Sequence, residues 1–270
     1  MLQVSELFIY PIKSLGGISL SSALVTDRGF QYDRRWMLID SDNQFITQRE
    51  FSEMALLKVQ VEENGLKVTH KQKGDSIAIP LETSGETISV QVWSDKVTGI
   101  IVNKEPNEWF SDILNKDCQL VYMPDQTKRR VDGRYAMNKE ITNFSDGYPF
   151  LTISQASLND LNKRLDEKLP INRFRPNIVF TGGSPYEEDT LAHFTLNHIH
   201  FYGVKLSARC VITTINQNTL KKSKEPLRTL STYRMKNNKI YFGQNLLHHG
   251  EGAIIIGDEL KPIERKPSRF

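Results

Sequence analysis

Val59-Gln60-Val61-Glu62-Glu63-Asn64-Gly65-Leu66-Lys67-Val68-Thr69 holds two short runs in which apolar and polar residues alternate, separated by residues that favour a turn. Alternation puts every second side chain on one face of a strand, and Asn64-Gly65 tolerates the positive φ angles of tight turns, so the stretch predicts a β-hairpin. The same pattern continues on both sides of it. Leu7-Phe8-Ile9-Tyr10 stops at Pro11, Trp36-Met37-Leu38-Ile39 stops at Asp40-Ser41-Asp42-Asn43, and further strands are expected at 76–80, 87–93 and 97–103. Many short strands at regular spacing indicate a barrel or a sandwich.

The first helix is expected near Pro106, where Trp109, Phe110, Ile113 and Leu114 share one face. Residues 124–140 turn polar, include Lys128-Arg129-Arg130, and read as an inter-domain segment with the basic triplet on a surface loop. The second half mixes strand and helix. Ser154 is a good N-cap for a helix carrying Leu158, Leu161 and Leu165 and ending at Pro170. Strands are expected at Asn177-Ile178-Val179-Phe180, from Ile199 to Leu206, and at Ala253-Ile254-Ile255-Ile256. Strands with interspersed helices and no βαβ regularity favour a β-barrel core.

At 270 residues, 39% hydrophobic and 25% charged, the composition is that of a globular protein with room for a sizeable core. The net charge of +3 does not indicate a nucleic-acid surface. No run is long enough to span a bilayer, and strand-like alternation begins at Leu2, which leaves no room for a targeting peptide, so a cytoplasmic protein with no membrane partner is expected. The two cysteines, Cys118 and Cys210, exclude a disulfide scaffold and also an iron–sulfur cluster, which takes four ligands. Electrons for any redox chemistry must therefore come from another protein.

Cys210, in Ser207-Ala208-Arg209-Cys210-Val211-Ile212-Thr213-Thr214, is the residue with most chemical promise. A guanidinium beside a thiol favours the thiolate, the form that attacks electrophiles and binds metal. The competing reading is a small buried hydrophobe, which is what most cysteines are; Cys118 is assigned that role. Among the six histidines only His198 and His200 are spaced to share a strand face, too few for a zinc site. Lys13, Arg34, Arg173, Arg175 and Arg209 stand at strand ends or turns, where basic groups suit a phosphate or another anion.

Seven stretches in order resemble the MOSC-domain family, named for the C-terminal domain of molybdenum cofactor sulfurase, in the arrangement of the mitochondrial amidoxime reducing component and its bacterial relatives. They are Tyr10-Pro11-Ile12-Lys13-Ser14, Asp33-Arg34-Arg35-Trp36, Pro149 to Ser154, Phe174-Arg175-Pro176-Asn177, Arg209 to Thr214, Lys224-Glu225-Pro226-Leu227 through Tyr233-Arg234, and Phe242-Gly243-Gln244.

The resemblance implies a mainly β protein with some α, an N-terminal β-barrel domain over 1–124 joined to a MOSC β-barrel domain over 125–270. It implies a molybdenum cofactor of the molybdopterin type between them, with molybdenum ligated by Cys210. Lys13 and Ser14 would contact the phosphate or pterin end, with Arg34 as a second basic contact. Arg175, Asn177 and the turn from Thr152 to Ser154 would line the pterin pocket, Arg209 would add charge, and Thr213 and Thr214 would hydrogen-bond near the metal. The implied activity is reduction of small N-hydroxylated substrates, amidoximes and hydroxylamines, by oxygen transfer to molybdenum. The implied electron donor is a separate ferredoxin, flavodoxin or cytochrome b5-type protein with its reductase, since the chain ends soon after Gly257-Asp258 without a ferredoxin-like domain. Pyridoxal phosphate is a further ligand associated with the family. The alternatives are a non-catalytic cofactor or sulfur carrier and a metal-free thiol enzyme.

Overall fold

The computed structural model describes residues 1–81 and 83–270. Seven strands close into a barrel: Phe150–Ser154, Ile178–Thr181, Leu2–Ile9, Glu259–Arg265, Leu191–Leu196, Ile199–Ala208 and Lys239–His249, which pairs back onto Phe150–Ser154. All neighbours are antiparallel except Phe150–Ser154 and Ile178–Thr181, which run parallel. The chain's first strand is thus an internal stave of the barrel built by the second half.

That strand shows how the sequence is read. A bulge between Val4 and Glu6 inserts one residue and re-phases the alternation, so that Leu2 and Val4 before it and Leu7 and Ile9 after it all join the barrel core. Inside, Phe150 packs edge-on against Phe30 and Phe201 at 4.9 and 5.4 Å, and Phe194 stacks on Phe201 at 5.4 Å.

The first half curls two small antiparallel sheets round a second core. One orders Trp36–Ile39, Gln119–Tyr122, Asp95–Ile101 and Thr87–Val92; the other is the meander Leu57–Glu62, Gly65–His70, Ser76–Pro80. The helix Lys104–Leu114 turns Phe110 and Leu114 into this core beside Trp36, Leu38 and Met54, and ends at Asn115 in the left-handed conformation. Cys118 is buried there, its N–H on the Ser111 hydroxyl at 3.1 Å.

Several expectations need correction. The hairpin at 59–69 forms, but Glu62 pairs with Gly65, so the turn is Glu63-Asn64, and neither Asn64 nor Gly65 takes a positive φ. Gly65 is required for another reason: a Cβ there would lie 2.3 Å from the Ile79 carbonyl oxygen on the next strand. Arg129 is not a surface-loop residue. It is 4% exposed, ion-paired to Asp95 at 2.8 Å and donating to the Asn143 and Ser145 carbonyls at 2.9 and 2.6 Å. The second helix, Gln155–Asn162, stops well short of Pro170. His198 sits in the turn before Ile199–Ala208, so it does not share a strand face with His200, which bonds His193 at 2.8 Å instead. Among the described residues no cluster of three or more metal-ligating side chains occurs, and no helix is long and apolar enough to cross a membrane.

The Gly65 correction is testable by urea denaturation. Gly65→Ala should destabilise by about 1–3 kcal/mol through overpacking, while Asn64→Ala should stay within about 0.5 kcal/mol. The reverse order would restore the left-handed turn.

Candidate functional site

Cys210 is set by the strand that precedes it and the turn that follows. One residue beyond Ile199–Ala208, Arg209 N–H still donates to Ile240 O at 2.7 Å, so the chain leaves the barrel in register. Cys210 is extended (φ −115°, ψ 178°) and opens a 3-10 turn, Val211–Thr214. The Thr213 hydroxyl and N–H both return to the Cys210 carbonyl, at 2.9 and 3.2 Å, and buried Arg173 donates to Thr213 O at 2.8 Å. The thiol is half-buried and lines a cleft of about 240 Å³ between the barrel end and the first-half sheets.

The cleft is strongly cationic. Lys13, Arg34, Arg49, Arg175, Lys205 and Arg209 line it, against one carboxylate, Asp146. Most of these charges are anchored on carbonyl oxygens, which satisfy N–H donors without cancelling charge. Lys13 Nζ donates to Phe144 O at 2.8 Å and pairs with Asp146 at 2.7 Å. Arg34 pairs with buried Asp33 at 2.7 Å and donates to Asn177 Oδ1 and Arg175 O, both at 3.2 Å. Arg175 donates to Leu15 O at 2.6 Å, and Arg209 to Phe174 O at 2.6 Å and the Ser207 hydroxyl at 2.9 Å. Arg209 Nε is buried without a partner among the described residues. Both the Arg34 and Arg175 guanidinium carbons lie 4.2 Å from the Tyr10 ring centroid.

The titrations register this crowding. Burial, then the like charge of Arg34, pushes Arg175 down to about 10. Burial also lowers Lys13 and Arg209, although Asp146 opposes the shift at Lys13. At Asp146 surrounding protein disfavours the charge, but Lys13 and then Arg49 outweigh it and hold the carboxyl below its usual range. The Asp146 side chain is 68% exposed and that of Lys13 6%, so the lysine carries the desolvation penalty and the pair stays ionised at neutral pH.

Three lining residues are in the left-handed region: Ser14 (φ 70°), Arg34 (φ 50°) and Arg175 (φ 55°). Non-glycine residues hold such angles when surrounding bonds over-determine them. Arg34 N–H donates to Tyr10 O at 2.9 Å, and the Ser14 carbonyl takes the buried Gln48 amide, which also pairs with Gln217 on the segment following the Cys210 turn.

Of the residues selected from sequence, Lys13, Ser14, Arg34, Arg175, Asn177, Arg209, Cys210 and Thr213 come together in this cleft. Four others lie off its lining, among them buried Arg173, which donates to Thr213 O. Thr152 bonds Ile178 O at 3.1 Å, Ser154 caps its helix through Ser157 N–H at 3.0 Å, and Thr214 bonds Val211 O at 2.7 Å. Arg49, Asp146, Tyr148, Lys205 and Asn245 line the cleft but carry no sequence signal that separates them from ordinary surface residues. Ser154 also belongs to a sealed polar group: Ser157 Oγ donates to Glu188 Oε2 at 2.8 Å, and burial, then Asp189, pushes Glu188 up to about 7.

Residues 1–117 match the MOSC N-terminal beta barrel domain and residues 139–261 the MOSC domain. The chain is 30% identical to mitochondrial amidoxime-reducing component 1 of Mus musculus, over 94% of this chain and 80% of that one. It is 33% identical to mitochondrial amidoxime reducing component 2 of Bos taurus, over 86% and 72%. To the molybdenum cofactor sulfurase of Oryza sativa it is 30% identical, over 95% of this chain and 34% of the larger protein.

Two outcomes follow from this geometry. A thiol reagent should modify Cys210 quickly in the native protein and Cys118 only after denaturation; Cys210→Ala should remove the fast phase, and a fast phase surviving it would reverse the assignment. Because the native pKa of Glu188 lies above its unfolded value, its stabilising effect is present at low pH and is lost as pH rises through about 7. Between about pH 4.5 and 8 the protein should therefore lose on the order of 3 kcal/mol of stability relative to Glu188→Gln. A pH-independent difference would remove Glu188 as a buried neutral acid.

Proposed function

The chain belongs to the MOSC-domain family, and on that premise we propose that it is a molybdenum-cofactor-dependent reductase of N-hydroxylated compounds, served by a separate electron-donor protein. One observation carries the reading: a solvent-reachable thiol opens into a cleft whose cations are held on carbonyl oxygens and left largely unneutralised.

The donor set fits such a cofactor. A thiolate is a soft ligand suited to a pterin-bound molybdenum, and N–H donors with net positive charge suit a phosphate tail. Cys210 would ligate the metal, its backbone fixed by the Thr213 bonds. Lys13, Ser14 and Arg34 would hold the phosphate end, while Arg175, Asn177 and Arg209, with its unpartnered Nε, would face the pterin. When bound, the cofactor supplies two-electron reduction of an N–O bond. The chain's own part is to orient that bond and hold it against the thiol side of the cleft. Thr152, Ser154 and Thr214, off the lining and with their hydroxyls already engaged, would support the pocket from behind.

The likeness to the rice molybdenum cofactor sulfurase along 95% of this chain favours a second reading, a cofactor or sulfur carrier without turnover. Purified from a host that makes the cofactor, the protein should contain molybdenum and yield the fluorescent oxidised pterin. With a chemical reductant it should convert benzamidoxime to benzamidine. Cys210→Ala should abolish turnover and Cys118→Ala largely keep it. Lys13→Ala should lower cofactor retention by the equivalent of about 1.5–3 kcal/mol, a lost charge-assisted contact. Retained cofactor without turnover would select the carrier, and a protein free of molybdenum and pterin would exclude both.

A further inference from the structure

Lys205 stands in the cleft with no carboxylate and no hydrogen-bond partner among the described residues. Its ammonium lies 4.7 Å from the Tyr135 ring centroid and 5.7 Å from that of Tyr148. Aromatic faces attract a cation without neutralising it, so the charge remains available to an anion. Asn245 is directly opposite Lys205 in the register of Ile199–Ala208 with Lys239–His249. Directly opposed residues of antiparallel strands project to the same face. Asn245 also lines the cleft, and its amide has no partner among the described residues.

Lys205 is also distinct from the cations assigned to the phosphate. The loop Ser145-Asp146-Gly147-Tyr148 runs along the cleft with its two ends differently engaged. Asp146 closes on Lys13, whereas Tyr148 packs beside Lys205. Asp146 therefore offsets Lys13, whereas the carboxylate whose field reaches Lys205, Asp132, makes no ion pair with it and is closed on Arg134 at 2.5 Å. Along the chain, five residues carry the backbone from Lys205 to Cys210, no more than about 18 Å when fully extended.

We infer that Lys205 and Asn245, flanked by the Tyr135 and Tyr148 rings, form a second anion subsite that selects N-hydroxylated substrates bearing a carboxylate; this rests on the reductase reading above. The ammonium supplies charge, the amide a directional N–H, and Tyr148, on the cleft lining and set at 79° to the Tyr135 ring behind it, an aromatic contact for the body of the substrate. A cation wedged among aromatic rings and spared an internal ion pair discriminates by charge, because a neutral substrate leaves it as it was.

The test compares 4-carboxybenzamidoxime with uncharged 4-methylbenzamidoxime on the cofactor-loaded protein, reading binding by calorimetry and N–O reduction separately. The carboxylated compound should bind about tenfold more tightly, equivalent to about 1.4 kcal/mol. That preference should vanish in Lys205→Met, persist in Lys205→Arg, and shrink as salt is raised on the unaltered protein, a measurement that needs no variant to fold. Equal binding of the two compounds, or a preference that survives both Lys205→Met and high salt, would overturn the subsite. Loss of molybdenum from folded Lys205→Met would assign Lys205 to the cofactor and also overturn it. Preferential binding without reduction would keep the subsite and reject the reductase, whereas reduction without preference would do the opposite.

Discussion

The arrangement on which the site depends is the anchoring of cationic side chains on backbone carbonyl oxygens. Lys13 on Phe144 O, Arg34 on Arg175 O, Arg175 on Leu15 O and Arg209 on Phe174 O are each tied to a segment distant in sequence or across a turn. A carbonyl meets the demand of a buried N–H donor, yet it brings no formal charge, so the fields of Arg175 and Arg209 survive into the cleft, whereas Asp146 and Asp33 partly offset those of Lys13 and Arg34. The penalty shows in the lowered pKa values of Lys13, Arg175 and Arg209, each led by burial. An anion entering the cleft relieves that penalty, so ligand affinity and native stability are linked, and the folded chain is preorganised at its own expense.

Those carbonyls are where they are because the first strand belongs to the barrel of the second half. Leu2–Ile9 lies between Ile178–Thr181 and Glu259–Arg265, and the next five residues cross directly to the other core. Tyr10 keeps one end fixed through its hydroxyl on Pro176 O at 3.1 Å, while Lys13 N–H on Trp36 O at 2.8 Å and Gly16 N–H on Leu57 O at 3.0 Å dock the other. A single short peptide thus sets the relative position of both halves and carries Lys13 and Ser14 across the seam. The loop opposite is stitched to the same place by Phe144 N–H on Arg34 O at 3.0 Å and the Asn143 amide on Asp33 O at 2.7 Å, with buried Arg129 behind it.

Much of this was legible in the sequence, and the exceptions have physical reasons. Alternation and turn residues located most strands, because a half-buried strand must alternate whatever its partner. Pairing order was not legible, since a strand at residue 2 and one at residue 259 carry no mark of adjacency. Asn64-Gly65 gave the hairpin correctly and its turn wrongly: the glycine answers to a neighbouring strand, which local sequence does not contain. Arg129 looked like the middle of a solvated run, and only its contacts with Asp95, Asn143 and Ser145 reveal a structural charge. Eight of the residues chosen from motifs meet in the cleft, whereas Thr152, Ser154 and Thr214 stand nearby with their hydroxyls already bonded. Lys205 and Asn245 were invisible because what distinguishes them is the lack of partners, a property of the fold alone.

The two thiols show how far surroundings decide chemistry. Cys118 and Cys210 are the same side chain, each following a charged residue in sequence, Asp117 and Arg209. Cys118 is sealed in the core of the first half, where burial pushes its pKa up and Ser111 engages its backbone. Cys210 is placed where a barrel strand has just ended, and a strand end is the point at which backbone pairing stops while position is still dictated by the barrel. A side chain there combines fixed geometry with access, which is what a metal ligand or nucleophile needs and a core residue lacks. The charge of the arginine beside it stays unneutralised because its hydrogen-bond acceptors are a carbonyl and a hydroxyl instead of a carboxylate. A carboxylate in place of the Ser207 hydroxyl would keep a hydrogen bond and offset the charge, so the identity of the acceptors, as much as that of the thiol, suits the cleft to the anionic, sulfur-ligated group proposed above.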